Sequence, residues 1–220
     1  MNIVKEILSF PETVAVSHKS KKSVWLLRHS MRESLTAGLD PGLTCEGKKY
    51  AQECGTFLGG IDEPFFGASP RLRCIETVKA IMAGGNYGEN PVETFPELHD
   101  TALFDPPEAL GRAVKAGNTA QLLAEYYSKG VAPDMIPLEE FSPRLLAFLQ
   151  NASSRRNVVL STHDIIVVSL LLPFKVYDFH QQDWCGYVQG AFLFQDDSNN
   201  WNLAYTVADT QNRQKYQLFI

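Results

Sequence analysis

The feature that most constrains this chain is a short apolar stretch that ends abruptly in positive charge. Val24-Trp25-Leu26-Leu27 has the composition of a buried strand, and Arg28, His29 and Arg32 follow it closely. In open α/β sheets ligands bind just beyond the carboxyl ends of the strands, so these side chains are expected in a crevice. Guanidinium forks match phosphate oxygens, and nearby positive charge favours the neutral imidazole that nucleophilic attack needs. Taken alone, the motif is more often a strand that ends in solvated charges.

A second predicted strand, Phe65–Ser69, leads through Pro70 into a helix whose first turn carries Arg71 and Arg73. A helix amino terminus attracts anions, and two arginines there oppose the helix dipole unless an anion binds between them. The alternative is that both arginines pair with a surface acid such as Glu76. The segment alone favours neither interpretation.

A third predicted strand, Asn157–Ser161, ends in Thr162, His163 and Asp164. His163 could donate hydrogen bonds to a transferred phosphoryl group, and Asp164 could be the general acid for the leaving alcohol. The alternative is that Thr162 or Asp164 caps the next helix beside a bystander histidine. Because parallel strands expose their carboxyl ends on the same side of a sheet, the three strand ends should meet. Their combination predicts a phosphoryl-transfer site.

The order of the predicted elements favours an α/β fold, a three-layer α/β/α domain with a mainly parallel sheet. Thr44 is a candidate N-cap for a helix that runs to about Leu58. The other predicted elements are a helix around Ile3–Phe10, strands at Ser23–Leu27 and Val92–Phe95, helices at Arg71–Met82, 108–130, 138–151 and Ile165–Leu172, and a terminal hairpin of Gly190–Gln195 and Trp201–Val207.

The length of 220 residues predicts a single domain, residues 1–220, with 1–22 as a leader segment and about 105–140 as a helical insertion over the site. A net charge of −5 argues against nucleic-acid binding, and the sequence lacks the ~20-residue apolar run of a membrane span. No signal peptide is evident, so a cytoplasmic location with reduced cysteines is expected. Neither HExxH nor paired CxxC occurs, which makes zinc an unfavoured ligand. The oligomeric state stays open.

Together these motifs resemble the histidine phosphatase superfamily, the phosphoglycerate mutase-like or histidine acid phosphatase fold. Its Arg-His-Gly is similar to Arg28-His29-Ser30, and its Leu-Thr-x-x-Gly is similar to Leu43-Thr44-Cys45-Glu46-Gly47. Its Ser-Pro-x-x-Arg-x-x-x-Thr resembles the segment from Ser69 to Thr77, with Arg73 as the phosphate arginine, and its second histidine corresponds to His163. The resemblance extends over roughly residues 23–172.

The resemblance implies a phosphohistidine intermediate on His29, in a pocket formed by Arg28, Arg32, Arg73 and His163. It implies phosphomonoester hydrolysis or phosphoryl transfer on a small phosphorylated metabolite, with neither metal nor cofactor. A phosphoglycerate mutase-like transferase and a non-catalytic phospho-ligand binding protein are the alternatives. The mutase is disfavoured because the tryptophan- and asparagine-containing sequence that follows Arg-His-Gly in those enzymes is absent.

Two positions depart from the family pattern or leave its chemistry open. Ser30 stands where the family has glycine, and a side chain as small as serine is expected to be tolerated. The larger branch takes its acid from the middle of the chain, whereas the acid phosphatase branch uses an aspartate directly after the second histidine. Arg32 and Asp164 resemble the latter, so Asp164 is the first choice of acid, with Glu97 and Asp100 as alternatives.

Overall fold

The computed structural model describes residues 1–34, 40–152, 154–179 and 184–208. These residues form an eight-stranded sheet and seven α-helices. The strands are β1 (Asn2–Ile3), β2 (Leu8–Ser9), β3 (Lys22–Arg28), β4 (Phe65–Ala68), β5 (Glu93–Thr94), β6 (Asn157–Thr162), β7 (Gly190–Gln195) and β8 (Trp201–Val207). The helices are α1 (Phe10–Ser17), α2 (Cys45–Leu58), α3 (Leu72–Gly84), α4 (Ala109–Ala116), α5 (Thr119–Lys129), α6 (Leu138–Asn151) and α7 (Asp164–Leu171).

The strand order is β1-β8-β7-β3-β6-β4-β5, and β2 also pairs with β8. β3, β6, β4 and β5 are mutually parallel, and β7 runs antiparallel to both of its neighbours. The mainly parallel sheet is therefore confirmed. Because β3, β4 and β6 point the same way, their three carboxyl ends lie on one side of the sheet, as the sequence predicts.

Helices cover both faces of the sheet, which confirms the three-layer arrangement. Along β3, Trp25 and Leu27 pack with α1, α2 and α3, while Val24 and Leu26 pack with α6 and α7 on the other face. All four side chains are fully buried. A strand segment that is covered on both faces needs apolar residues on both faces, which explains why β3 is apolar at every position from Val24 to Leu27.

The amino-terminal segment differs from its prediction. In place of a helix around Ile3–Phe10, the structure has β1 and β2, which pair in parallel with β8, and the helix begins only at Phe10. Ser9 and Glu12 form a capping box there, and Phe10 is fully buried. The apolar spacing of residues 3–10 fits a helical period but belongs to strands that pair with β8. The capping residues that follow decide where the helix starts.

The predicted helix over 108–130 is two helices, α4 and α5. The helix is interrupted at Gly117, which adopts a left-handed conformation with φ of 69°. Glycine reaches that conformation without steric cost, so it ends α4 there. Helices α2, α3, α6 and α7 and the terminal hairpin are confirmed, with boundaries within two residues of those predicted.

The four cysteines, Cys45, Cys54, Cys74 and Cys185, are all free thiols, as expected. Within the described ranges, no helix combines the length and apolar character that crossing a membrane requires.

Candidate active site

His29 lies directly after β3, almost fully buried with 4% of its surface exposed. Its Nδ1 is 2.7 Å from the carbonyl oxygen of Ser30. A carbonyl only accepts hydrogen bonds, so Nδ1 carries the proton and Nε2 carries the free lone pair. Burial first, then the positive neighbourhood of His163, Arg28 and Arg73, lowers the pKa of His29 well below its usual range. The imidazole is therefore neutral and oriented, as attack on phosphorus would require.

The loop that carries His29 is anchored to both neighbouring helices. Ser30 N donates to Thr77 Oγ1 (2.9 Å) on α3, and Ser30 Oγ donates to Gly47 O (2.7 Å) on α2. A Cβ on Gly47 would lie 2.1 Å from Met31 O, so only glycine permits this approach. The serine at position 30 is accommodated with a hydrogen bond. These contacts explain physically why Gly47 and Thr77 recur in the two motifs.

His163 follows β6, and its ring lies 5.5 Å from that of His29 (between centroids), edge to face. Arg73 Nη2 is 3.2 Å from His163 Nδ1, and Ser69 Oγ is 3.0 Å from His163 Nε2. A guanidinium cannot accept a hydrogen bond, so Nδ1 holds the lone pair and Nε2–H donates to Ser69. Burial first, with Arg73 adding to it, lowers the pKa of His163 to about 3 against the opposing effect of Asp100 and Asp164.

One cationic group of the site consists of Arg71 and Arg73, both paired with Asp100. Arg71 Nη2 is 3.2 Å from Asp100 Oδ1, and Arg73 Nη2 is 3.1 Å from Asp100 Oδ2. His99 Nδ1 lies 2.9 Å from Asp100 Oδ1. Burial alone raises the pKa of Asp100, but His99, His163 and Arg71 outweigh it and hold the pKa well below its usual range.

The predicted alternative of Arg71 and Arg73 pairing with Glu76 does not occur. Glu76 instead accepts from Leu43 N at 2.6 Å and pairs with Lys48 at 2.8 Å, on the outer side of α3. Glu76 therefore anchors the segment before α2, and both arginines remain on the side of the histidines.

The other cationic group of the site is Arg28, which is paired with Asp164. Arg28 Nη2 lies 3.3 Å from Asp164 Oδ2, which also accepts from Trp184 Nε1 at 2.9 Å. Asp164 Oδ1 accepts from the backbone N–H of Ile165 at 2.9 Å. Burial alone raises the pKa of Asp164, but Arg28 and the hydrogen bond from Trp184 lead the groups that lower it to about 2.

The structure thus brings together most of the residues that the sequence predicts for the site: Arg28, His29, Arg73, Asp100, His163 and Asp164. Arg32 is partly buried at the mouth, where its Nη1 donates to Glu33 O at 3.0 Å. Burial, then the positive charge of Arg73, lowers the pKa of Arg32. Glu97 is exposed on a short 3₁₀ helix, apart from the buried cluster.

The contacts of several supporting side chains were not predicted from the sequence. Ser69 orients His163, Trp184 holds Asp164, and Asp40 accepts from Leu72 N at 3.0 Å while lying 3.6 Å from Arg73. Tyr187 lies under Arg28, with the guanidinium carbon 4.4 Å from the ring centroid. Ser69 belongs to a recognised motif, which was a usable signal. The other three lie in loops whose approach to the site no local pattern reveals.

The comparisons with known proteins agree with this geometry. The model of a family described as the histidine phosphatase superfamily (branch 1) matches residues 24–185. No curated protein matches the sequence. This match concerns the family as a whole, so the choice of general acid among Asp164, Asp100 and Glu97 stays a prediction.

Solved structures with the same fold include a phosphoglycerate mutase from Bacillus anthracis, at 17% identity and a TM-score of 0.57, covering 90% of this chain and 97% of that one. A mycobacterial glucosyl-3-phosphoglycerate phosphatase aligns at 20% identity and a TM-score of 0.57, over 86% of this chain and 99% of that one. A phosphoserine phosphatase from Entamoeba histolytica, a variant in complex with phosphoserine, aligns at 14% identity and a TM-score of 0.56, over 87% and 98%.

Proposed function

We propose that this chain, which belongs to the histidine phosphatase superfamily, is a metal-independent phosphomonoester hydrolase. Its substrate would be a small phosphorylated metabolite, and the reaction would pass through a phosphohistidine on His29. The observation that carries the proposal is the tautomer of His29, because Nδ1–H bonded to Ser30 O leaves a lone pair on Nε2. That nucleophile lies near a second buried histidine, the buried Arg73 and the partly buried Arg28.

In the first step His29 Nε2 attacks phosphorus, a P–N bond forms, and the P–O bond to the leaving alcohol breaks. The general acid gives its proton to the leaving oxygen. In the second step water attacks phosphorus, the P–N bond breaks, and the proton of the water passes to the carboxylate. Arg28 and Arg73 supply the positive charge that the equatorial oxygens need in both transition states. His163 donates to the same oxygens once the phosphoryl dianion has raised its pKa.

Asp100 is the general acid that we favour. All three donors to Asp164 are in place before substrate arrives, and two of them, the Ile165 amide and the Trp184 indole, are not phosphate ligands. Asp164 therefore stays ionised. Asp100 shares Arg73 with the site, so a phosphoryl dianion that takes up Arg73 withdraws positive charge from Asp100 and raises its pKa. Asp164 remains the alternative acid.

The named relatives support hydrolysis of phosphomonoesters as the reaction class. Two of the three structures described above are called phosphatases and the third a mutase. Both classes start by transferring a phosphoryl group to a histidine, so the present geometry serves either. Hydrolysis is preferred because the sequence lacks the segment that follows Arg-His-Gly in the mutases.

The test is hydrolysis of p-nitrophenyl phosphate across pH, with chelator present, for the protein and its His29→Ala variant. His18→Ala is the matched control, since His18 is an exposed histidine paired with Asp62. We expect chelator-resistant turnover that His29→Ala abolishes and His18→Ala preserves. Turnover that survives in His29→Ala would overturn the phosphohistidine mechanism. Binding of phosphate without turnover of any ester would favour the binding protein instead.

A further inference from the structure

One short segment, residues 184–189, encloses Arg28 from several sides. The backbone N–H of Arg28 donates to Gln189 O at 2.8 Å, and its carbonyl accepts from Val188 N at 3.1 Å. Its Nη1 donates to Cys185 O at 2.6 Å. Both the strand end and the guanidinium are therefore located by this segment.

The guanidinium of Arg28 lies over the ring of Tyr187. The central carbon of Arg28 is 4.4 Å from the ring centroid, well inside the distance at which a cation is attracted to an aromatic face. The same ring lies 6.3 Å from that of His29, between centroids. Arginine prefers such stacking because its planar group is weakly hydrated. Tyr187 thus contacts the phosphate arginine from beside the nucleophile.

The backbone next to Tyr187 is strained. Val188 has φ of 53°, a left-handed conformation that β-branched residues rarely adopt and that costs free energy. Val188 is fully buried, and the turn around it is secured by Gln189, whose Oε1 accepts from Gly186 N at 3.2 Å and from Tyr205 Oη at 2.7 Å. Such strain persists only where surrounding contacts enforce it. Here the left-handed residue joins Tyr187 to the start of β7.

Asp164 competes with any bound anion for Arg28. The two groups lie 3.3 Å apart, and Asp164 is itself held by Trp184 and Ile165, so it cannot follow the guanidinium outward. Without a surface opposite, the hydrogen bond from Nη1 to Cys185 O would be left to oppose rotation of the guanidinium fully onto the carboxylate and away from the pocket. The face of Tyr187 restricts that rotation.

We propose that Tyr187 is a positioning residue for phosphate binding, its ring holding Arg28 in the orientation that receives the phosphoryl oxygens. The inference rests on the proposed function in taking the pocket to bind phosphate. Its readout is phosphate affinity, which does not require turnover.

The experiment measures the dissociation constant of inorganic phosphate by calorimetry, and KM and kcat for p-nitrophenyl phosphate, in Tyr187→Leu and Tyr187→Phe. Tyr87→Leu is the matched control, because Tyr87 is a half-buried tyrosine packed on Phe66 away from the site. We expect Tyr187→Leu to weaken phosphate binding about tenfold and to raise KM similarly. Tyr187→Phe keeps the aromatic face and should stay within about twofold.

Tyr87→Leu should lower the melting temperature without changing the phosphate dissociation constant. The inference is overturned if Tyr187→Leu binds phosphate as tightly as the original protein, whatever its melting temperature. It is also overturned if Tyr187→Phe loses as much affinity as Tyr187→Leu, because the ring face would then not matter. A parent protein that neither binds nor hydrolyses phosphate compounds would instead refute the proposed function.

Discussion

Two arginines of the site, Arg28 and Arg73, are held in contrasting ways. Arg28 lies among fixed groups, since its carboxylate partner Asp164 is bonded to a backbone amide and an indole, and its face rests on Tyr187. Arg73 belongs to a network of ionisable side chains, in which Asp100 is its main ionic partner and His163 and Asp40 also contact it. The comparison suggests two different roles. Arg28 and Asp164 form a rigid half of the site that orients the phosphoryl group, and Arg73 and Asp100 form a responsive half that moves protons.

The largest effect expected from this comparison is on the arginines themselves. Arg73→Ala should lower kcat/KM for p-nitrophenyl phosphate about 10³-fold, because it removes a phosphate ligand and also the donor to His163. Arg28→Ala removes a proposed phosphate ligand and the ion pair with Asp164 but leaves the hydrogen bonds of His163 in place, and it should cost about 10²-fold. Steady-state kinetics on both variants checks this. Equal losses would mean that the contact between Arg73 and His163 carries no function.

The carboxylates provide the next comparison. If Asp100 is the acid, Asp100→Asn should slow an alkyl phosphate about 10²-fold more than p-nitrophenyl phosphate, whose leaving group needs no proton. Asp164→Asn should slow both substrates by similar factors. Measuring kcat on the two esters for each variant decides the matter. The reverse pattern would make Asp164 the acid and would exchange the roles of the two halves.

Stability in acid should also distinguish the rigid half. The folded pKa of Asp164 is about 2, below its ordinary 3.8, so its ionised form stabilises the fold above pH 4. That contribution, about 2 kcal/mol, is lost as pH falls from 4 through 2. Asp164→Asn should therefore lose less stability than the parent protein across that window, as measured by urea unfolding at a series of pH values. Parallel curves for the two proteins would show that the ion pair with Arg28 contributes nothing.

The smallest effect is expected at Ser30, which joins the two halves through the loop of His29. Ser30→Gly removes the hydrogen bond to Gly47 O and should lower the free energy of unfolding by about 1 kcal/mol. The bonds from Ser30 N to Thr77 and from His29 Nδ1 to Ser30 O are retained, so kcat should change little. Urea unfolding and steady-state kinetics test both parts. A large loss of kcat would show that the hydroxyl orients the nucleophile.

Much of the site could be predicted from the sequence because it lies at strand ends. β3 and β6 each contain an apolar run, Val24–Leu27 and Val158–Leu160, that is followed at once by polar residues. This pattern places His29 and His163 on the same side of a parallel sheet. The contacts between loops could not be predicted in this way. Asp100 rather than Glu76 pairs with the arginines because the chain after β5 turns back over β6, where Thr162 Oγ1 donates to Leu98 O at 2.6 Å. Nothing local to residues 96–100 indicates that turn.

The fold was predicted where helix caps and periodicity agree, and not where they compete. Thr44 caps α2 as expected, since it accepts from Gly47 N at 2.9 Å. At the amino terminus the apolar residues Ile3, Ile7 and Leu8 fit a helical spacing, yet they belong to a segment that contacts β8. That partner lies about two hundred residues away in the chain, and so tertiary contact overrides the local pattern.

The pairing of β1 and β2 with β8 has a consequence for how molecules of this protein behave in solution. β1 and β2 pair in parallel with β8, and Val4 N donates to Leu203 O, so backbone groups on the outer side of β8 find partners within the same chain. A strand with its polar groups unpaired is a template for pairing with another copy and for aggregation. We therefore expect the first nine residues to limit edge-to-edge pairing of β8 with another copy.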